Sequence, residues 1–440
     1  MLKSIINILQ GVLNQLFIPK SLLLCFLLTI LVGCSSTRIS KNQKNINSIL
    51  KSTFYDNQFT GVLILDPQNR DTLIALNDDK YFTPASNVKI FTLYTGLKLL
   101  PDKIPTLKYV KQNDTLYFEG TGDPTWLHPY FKDNTALQFL KGFKNLAFST
   151  NNFQDTKFGP GWAWEDYEFY YSPERGSIPL YGNVVNLFEK DSLVVSPGYF
   201  KPSIDRKEYP YLRSITKNEF FIQEGLMDTL EIPFKTSVKI TKELLQNQLT
   251  TKIEHTTRFP ESEKKILYGI STDSIYKRML FESDNFLAEQ LMLAAASTLS
   301  DTLSFKNSRD YTLQNYLTVL EQEPRWVDGS GLSRYNLFTP TSFVHILTLL
   351  KEEIPEKRLF HLFPTWNASG TITNPLQSDE IQFIYAKSGG MGNVYNLSGY
   401  LKTKSGKVLI FSFMNNHFRK PSSQIRQNIY DILKSIHESY

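Results

Sequence analysis

Three short runs carry hydroxyl, amine and amide groups in an order that suits covalent catalysis: Ser86-Asn87-Val88-Lys89, Ser283-Asp284-Asn285 and Lys387-Ser388-Gly389. A serine hydroxyl is a poor nucleophile at neutral pH unless a neighbouring base takes its proton. Lys89 falls on the same face of a helix as Ser86, one turn on. Its amine serves as that base only if burial and nearby cations depress its pKa, and Lys387 supplies such a cation. Ser283 is expected to relay a proton between the lysines and a leaving nitrogen, and Asn285 to hold a substrate amide. The backbone N–H groups of Ser86 and Gly390 are the expected oxyanion donors, a contribution of about 3–4 kcal/mol in such sites. Ser388, with Gly389 and Gly390 beside it, is expected to bind substrate through a carboxylate, Lys387 adding charge. The serine–lysine spacing alone carries little information, since it recurs at Ser48, Ser214, Ser262 and Ser274. Only Ser86 follows a helix-starting Pro84 and has the other two runs downstream.

The elements that must hold these groups are legible around them. From Pro84 to Pro101, Val88, Ile90, Phe91, Leu93, Tyr94, Leu97 and Leu99 cover most faces of a helix, the pattern of a buried one. Helical signals at Ser271 to Leu280 and Phe286 to Ala296 place Ser283 in the loop between two helices. Apolar runs at Gly61 to Asp66 and Thr72 to Leu76, split by turn residues, predict a hairpin. Ile381 to Ala386, Asn396 to Lys402 and Lys407 to Met414 are strand-like, the last two joined by a turn ending at Gly406. A final helix is expected over Ser422 to Ser435. N- and C-terminal strands are thus expected to share one antiparallel sheet with helices packed on it. Residues 101–262 read instead as a β-rich insertion with its own small core, its dense aromatics (Trp162, Trp164, Tyr167, Tyr170, Tyr171) taken as mostly buried.

Taken together, the motifs resemble those of the penicillin-binding-protein D-alanyl-D-alanine carboxypeptidase/endopeptidases of the low-molecular-mass class with a large insertion between the first two motifs. Ser86 and Ser283 stand 197 positions apart and Ser283 and Lys387 stand 104 apart, which suits that insertion. Thr121 to Thr125 (TGDPT), Asp328 to Ser333 (DGSGLS) before Thr339-Pro340, and Leu397 to Leu401 (LSGYL) also look like the family. The resemblance implies an α+β fold, a β-lactamase/transpeptidase-like domain whose antiparallel sheet is flanked by helices, with a β-rich inserted domain. It further implies a periplasmic hydrolase of peptidoglycan peptides, inhibited by β-lactams, needing no metal or organic cofactor. One position departs from the pattern. The family usually continues Lys-Thr-Gly-Thr, whereas Gly390 here lacks the last hydroxyl, so weaker selection for a free C-terminal carboxylate and a shift toward crosslink cleavage are expected. A non-catalytic cell-wall-binding lipoprotein of the same fold is the alternative, and turnover by wild type and Ser86→Ala separates the two. A β-lactamase is disfavoured because no E-x-x-L-N string occurs.

The remaining features bound the setting. A net charge of +5 falls to +3 without Lys3 and Lys20, too mild to argue for nucleic acid. The run Ser21 to Gly33 (SLLLCFLLTILVG), after Lys20, resembles a secretory h-region and ends at Leu31-Val32-Gly33-Cys34, which looks like a lipobox. Residues 1–33 are therefore expected to be a lipoprotein signal peptide, Cys34 the lipidated residue that holds the protein to a membrane, and 34–47 a tether. Residues 48–100 and 263–440 form the expected peptidase domain and 101–262 the insertion. With Cys25 and Cys34 assigned there, no cysteine remains in the body for a disulfide. The six histidines show no H-E-x-x-H or other metal spacing, and no metal site is expected. The Asp328 loop is expected to be structural and near the site.

Overall fold

The computed structural model describes residues 43–366, 370–371 and 382–440. The expected signal peptide, Cys34 and most of the expected tether lie outside the described residues, as does Ile381.

The body is built on a five-stranded antiparallel sheet in the order β13-β14-β15-β1-β2, formed by β1 (Phe59–Asp66), β2 (Asp71–Leu76), β13 (Ile384–Met391), β14 (Val394–Lys402) and β15 (Val408–Asn416). Chain ends thus meet in one sheet, as expected, with β1 inserted beside β15. Strand alternation gives the sheet two apolar faces. Leu409, Phe411 and Phe413 point to one core with Val62 and Ile64, whereas Val408, Ile410 and Met414 point to the other with Leu63. The first core is closed by α1 (43–50) and the terminal helix α10 (Ser422–Ser439), through Ile46, Leu50, Ile429 and Leu433. The expected tether is therefore corrected at its end: residues 43–47 are helical, because Ile46, Ile49 and Leu50 form an i, i+3, i+4 stripe that the sheet buries.

The second face carries α2 (Lys89–Leu99), α5 (Thr272–Phe281), α6 (Asn285–Leu299), α7 (Phe305–Tyr316), α8 (Pro340–Glu353) and α9 (Glu356–Leu362). Helix α2 is buried along most of its length, and Leu100, the residue before Pro101, turns extended and ends it. Ser86 lies not in an α-turn but in a tighter 3-10 turn, Ala85–Val88, that feeds α2. Helix α6 is lined with Ala288 and Ala294 to Ala296, small residues that let it pack on α2. Ser283 and Asp284 connect α5 to α6, as the sequence predicts, and the Asp284 carboxylate accepts from Leu287 N to cap α6.

Between α2 and α5 the chain is rich in strands. A second five-stranded sheet runs β11-β5-β4-β3-β12, from β3 (Lys103–Gln112), β4 (Thr115–Gly120), β5 (Asn145–Ser149), β11 (Lys252–His255) and β12 (Lys265–Ser271). It shares a separate core with α3 (Thr135–Lys141), α4 (Val238–Gln246), β6 (Val184–Glu189) and β10 (Leu230–Pro233). The smaller sheets are β10-β6-β7, with β7 (Leu193–Ser196), and β8-β9 (Ile204–Asp205, Phe220–Phe221). Because β12 pairs antiparallel with β3, this strand-rich unit runs past the expected seam at 262, to Ser271. The aromatic cluster departs from expectation too: Trp164 and Tyr170 are exposed, and Trp162, Tyr167 and Tyr171 are only half-buried.

Candidate active site

The three motifs converge on one cleft of about 760 Å³, lined among others by Ser86, Ser283, Asp284, Asn285, Gly331 and Gly390. Its floor is the turn that carries Ser86. Ala85, just before it, has φ +46°, a left-handed conformation that costs a residue with a Cβ about 1–3 kcal/mol. Two glycines grip this turn by backbone approach. A Cβ on Gly331 would lie 1.9 Å from the Ala85 carbonyl oxygen, and one on Gly389 would lie 2.4 Å from that of Pro84. Asn87 adds a side-chain tie, donating to Ser398 Oγ at 2.7 Å.

Lys89 is 0 % exposed and its Nζ has three acceptors: Ser86 Oγ at 3.0 Å, Asn285 Oδ1 at 2.7 Å and the Ser330 carbonyl at 2.7 Å. Three acceptors use all three protons of an ammonium. Two of them, the amide and the peptide carbonyl, can only accept. A neutral amine therefore keeps its two protons on those two and turns its lone pair to the Ser86 hydroxyl. Burial brings the Lys89 pKa down to about 8, against the opposing pull of Asp328, Asp284 and Glu289. Lys387 is buried as well, its Nζ donating to the Ser388 carbonyl at 2.7 Å. Burial, and then repulsion from Lys89, hold its pKa well below the ordinary lysine value.

Each predicted position has a definite place. Ser283 lines the cleft with φ +56°, and its hydroxyl makes no hydrogen bond among the described residues. Asn285 spans two partners, its Oδ1 toward Lys89 and its Nδ2 donating to the Tyr171 carbonyl at 2.9 Å. That amide orients Lys89, and with a second N–H and a second lone pair at the cleft it can also meet a substrate amide. Lys387, Ser388, Gly389 and Gly390 lie along the edge strand β13. Ser388 is 8 % exposed and stands behind Thr371, whose hydroxyl is 3.2 Å from its own and does line the cleft. Gly390 faces the cleft with nothing nearer to a Cβ than Val394 O at 3.9 Å, so a side chain fits there. Among the described residues no group of three or more His, Cys, Asp or Glu is arranged to hold a metal.

Sequence reading placed the Asp328 loop near the site but missed how it is tied there. Asp328 accepts from the Gly331 and Ser333 backbone, from Asn336 Nδ2 and from Trp162 Nε1, and so fixes the loop whose Ser330 carbonyl meets Lys89. Glu289 on α6 accepts from Ser330 N at 2.8 Å and pairs with Arg175 at 3.1 Å, both side chains 1 % exposed. Burial and the neighbouring Asp328 push the Glu289 carboxyl up, against the pull of Arg175. No local pattern marks Arg175, because its partner lies 114 positions away. Thr371 is likewise invisible to a reading confined to the three motifs.

Known proteins are similar across most of the chain. D-alanyl-D-alanine carboxypeptidase DacB of Haemophilus influenzae is 24% identical over 429 residues, covering 83% of this chain and 89% of its own. Penicillin-sensitive carboxypeptidase A of Dictyostelium discoideum is 23% identical, covering 89% of this chain and 88% of its own. The crystal structure of penicillin-binding protein 4 from Haemophilus influenzae superposes with a TM-score of 0.68 at 18% identity, over 88% of this chain and 99% of its own. That likeness establishes the fold, the peptidase-like sheet with a strand-rich extra domain. The sequence profile of the D-Ala-D-Ala carboxypeptidase 3 (S13) family matches residues 42–192 and 236–436. Since that match takes in all three motifs and both five-stranded sheets, the chain belongs to this family of serine-type peptidases.

Proposed function

We propose that this protein cleaves D-Ala-D-Ala stem peptides or crosslinks of peptidoglycan through an acyl-enzyme on Ser86, and that β-lactams acylate the same serine. The observation that carries the reading is the buried Lys89 amine 3.0 Å from Ser86 Oγ, with its pKa brought down to about 8. Ser86 Oγ attacks the penultimate D-Ala carbonyl carbon as its proton passes to neutral Lys89. The C–N bond then breaks and the leaving amine takes a proton, with Ser283 as the relay. Water then attacks the resulting ester as it gives a proton to Lys89, and that proton passes to Ser86 Oγ as the ester C–O bond breaks. The N–H groups of Ser86 and Gly390 hold the oxyanion in both steps. Lys387, through its Nζ on the Ser388 carbonyl, and the Ser388–Thr371 hydroxyl pair support the end of β13 that would meet the substrate carboxylate. Asn285 positions Lys89 and holds a substrate amide.

The same reading takes the protein outside the cytoplasm: peptidoglycan lies there, and a lipid on Cys34 would hold the enzyme to a membrane after removal of residues 1–33. Among the described residues no helix is long and apolar enough to cross a membrane. We divide the body into a peptidase domain either side of an insertion, and place the second seam near 271 because of the β3–β12 pairing. The test is fluorescent-penicillin labelling of the soluble form that starts after Cys34. Retained label in wild type and none in Ser86→Ala supports the acylating serine. No label on folded wild-type protein overturns it and favours the non-catalytic wall-binding alternative.

A further inference from the structure

A second, shallower groove of about 400 Å³ adjoins the cleft, lined by Trp164, Glu165, Tyr167, Glu168, Tyr211, Ser214 and neighbours. Its apolar surface is uncovered: Trp164 is 74 % exposed, and Tyr211 and Ile215 are exposed too. Such exposure is not the by-product of a loose loop. Arg213, only 2 % exposed, lies between the two segments that form the groove. Its Nη2 donates to the Tyr167 carbonyl at 3.0 Å, the Tyr167 hydroxyl donates to the Arg213 carbonyl at 2.9 Å, and the guanidinium sits 4.9 Å from the Tyr167 ring centre. Leu212 N donates to the Glu168 carboxylate in the same junction. Tyr211 is braced from behind by Phe221, ring centres 5.3 Å apart. A buried arginine thus holds a turn in place so that a tryptophan stands in solvent.

The groove is continuous with the active site. Glu165 lines both, and Ala163 and Asp166, on either side of the Trp164–Glu165 pair, line the cleft. Rigid aromatic faces beside carboxylates suit a ligand with apolar ring faces and a hydroxyl rim, because C–H faces pack on the ring and hydroxyls donate to the carboxylates. Stem peptides are attached to a ligand of that chemistry, the amino-sugar strand. We propose that this groove is a saccharide subsite, in which Trp164 and Tyr211 pack against sugar rings of the glycan strand while its stem peptide enters the cleft. The proposal rests on the peptidase reading for the identity of the strand, and the continuity of the two sites selects a glycan over an unrelated protein partner.

The test uses the soluble chain, the N-acetylglucosamine tetramer as probe, and three substrates: fluorescent penicillin, a free stem pentapeptide and intact sacculi. Wild type should quench tryptophan fluorescence saturably with the tetramer, and Trp164→Ala should abolish the quench. Trp164→Ala and Tyr211→Ala should each lower the rate on sacculi about tenfold, with penicillin acylation and pentapeptide turnover as in wild type. Saccharide binding that fails in the wild type, or equal rates of wild type and Trp164→Ala on sacculi, overturns the subsite. A loss of penicillin acylation in Trp164→Ala also overturns it, since the turn would then support the cleft and not a glycan; Tyr211→Ala tests the groove from the other segment. Tetramer binding by a wild type that takes neither penicillin nor pentapeptide would keep the subsite and remove the peptidase reading.

Discussion

At the scale of single residues, the site turns on which lysine carries charge. Lys89 and Lys387 are both buried, burial lowers the pKa of each, and a charge on Lys89 lowers that of Lys387 further. Three carboxylates nearby favour a charge on Lys89, which keeps its pKa near 8 and not lower. Only the neutral amine accepts the Ser86 proton, and the neutral fraction grows as pH rises. Penicillin acylation should therefore climb with pH and level off above a midpoint near 8, measured as second-order rate constants between pH 6 and 10. A flat profile over that range would contradict Lys89 as base. Lys89→Met should slow acylation by about 10³-fold, within the range for loss of a general base. Gly390 gives a prediction of the opposite kind. Because a Cβ there meets nothing closer than 3.9 Å, Gly390→Thr should fold as wild type does. The added hydroxyl should raise turnover of a pentapeptide relative to a crosslinked dimer, read as the ratio of kcat/KM values. An unchanged ratio would mean that Thr371, on the same cleft wall, already fills that role.

At the scale of elements, three separate pieces meet at Ser86: the 3-10 turn Ala85–Val88, the Asp328 loop and the edge strand β13. The motifs were legible because each is compact in sequence, and their helices and strands followed from apolar periodicity on α2, α6, β14 and β15. The 3-10 geometry was not legible. It arises from the tertiary grip of Gly331 and Gly389 on Ala85 and Pro84, which no local pattern at Pro84-Ala85-Ser86 records. The exposed Trp164 turn escaped for a related reason: aromatic density suggests a core, and only the buried Arg213 explains why the turn stays outside. Gly331 isolates the loop's contribution. It has φ +83° and no room for a methyl group, so Gly331→Ala must push the loop away from Ser86. Displacement of about 1 Å suffices for a roughly 100-fold rate loss in positioned catalysis. Penicillin acylation should fall by about that factor in protein whose circular dichroism is unchanged; wild-type rates would show that the loop is not what positions Ser86.

At the scale of the whole molecule, the strand-rich unit and the peptidase body share a buried ionic contact chain at the site. Arg175 comes from the segment between β5 and β6, Glu289 from the middle of α6, and Ser330 from the loop whose carbonyl holds Lys89. Arg175 is also paired with Asp155 at 3.1 Å, so the guanidinium sits between carboxylates of both units. A buried pair of this kind adds little net stability over a well-packed apolar pair, yet losing one partner leaves an uncompensated charge and costs about 3–5 kcal/mol. Arg175→Met should therefore lower the free energy of unfolding by about that amount, seen as a drop in the denaturant midpoint. Adding Glu289→Gln should recover part of the loss, because the glutamine carbonyl still accepts from Ser330 N without leaving a charge behind. The two variants also separate stability from catalysis. If the chain holds the Ser330 carbonyl on Lys89, the single variant should acylate more slowly even under conditions where it is fully folded, and the double variant should regain rate along with stability. Recovery of stability without rate would mean that Arg175 shapes the cleft directly, and that the insertion contributes to the active site by more than electrostatic compensation.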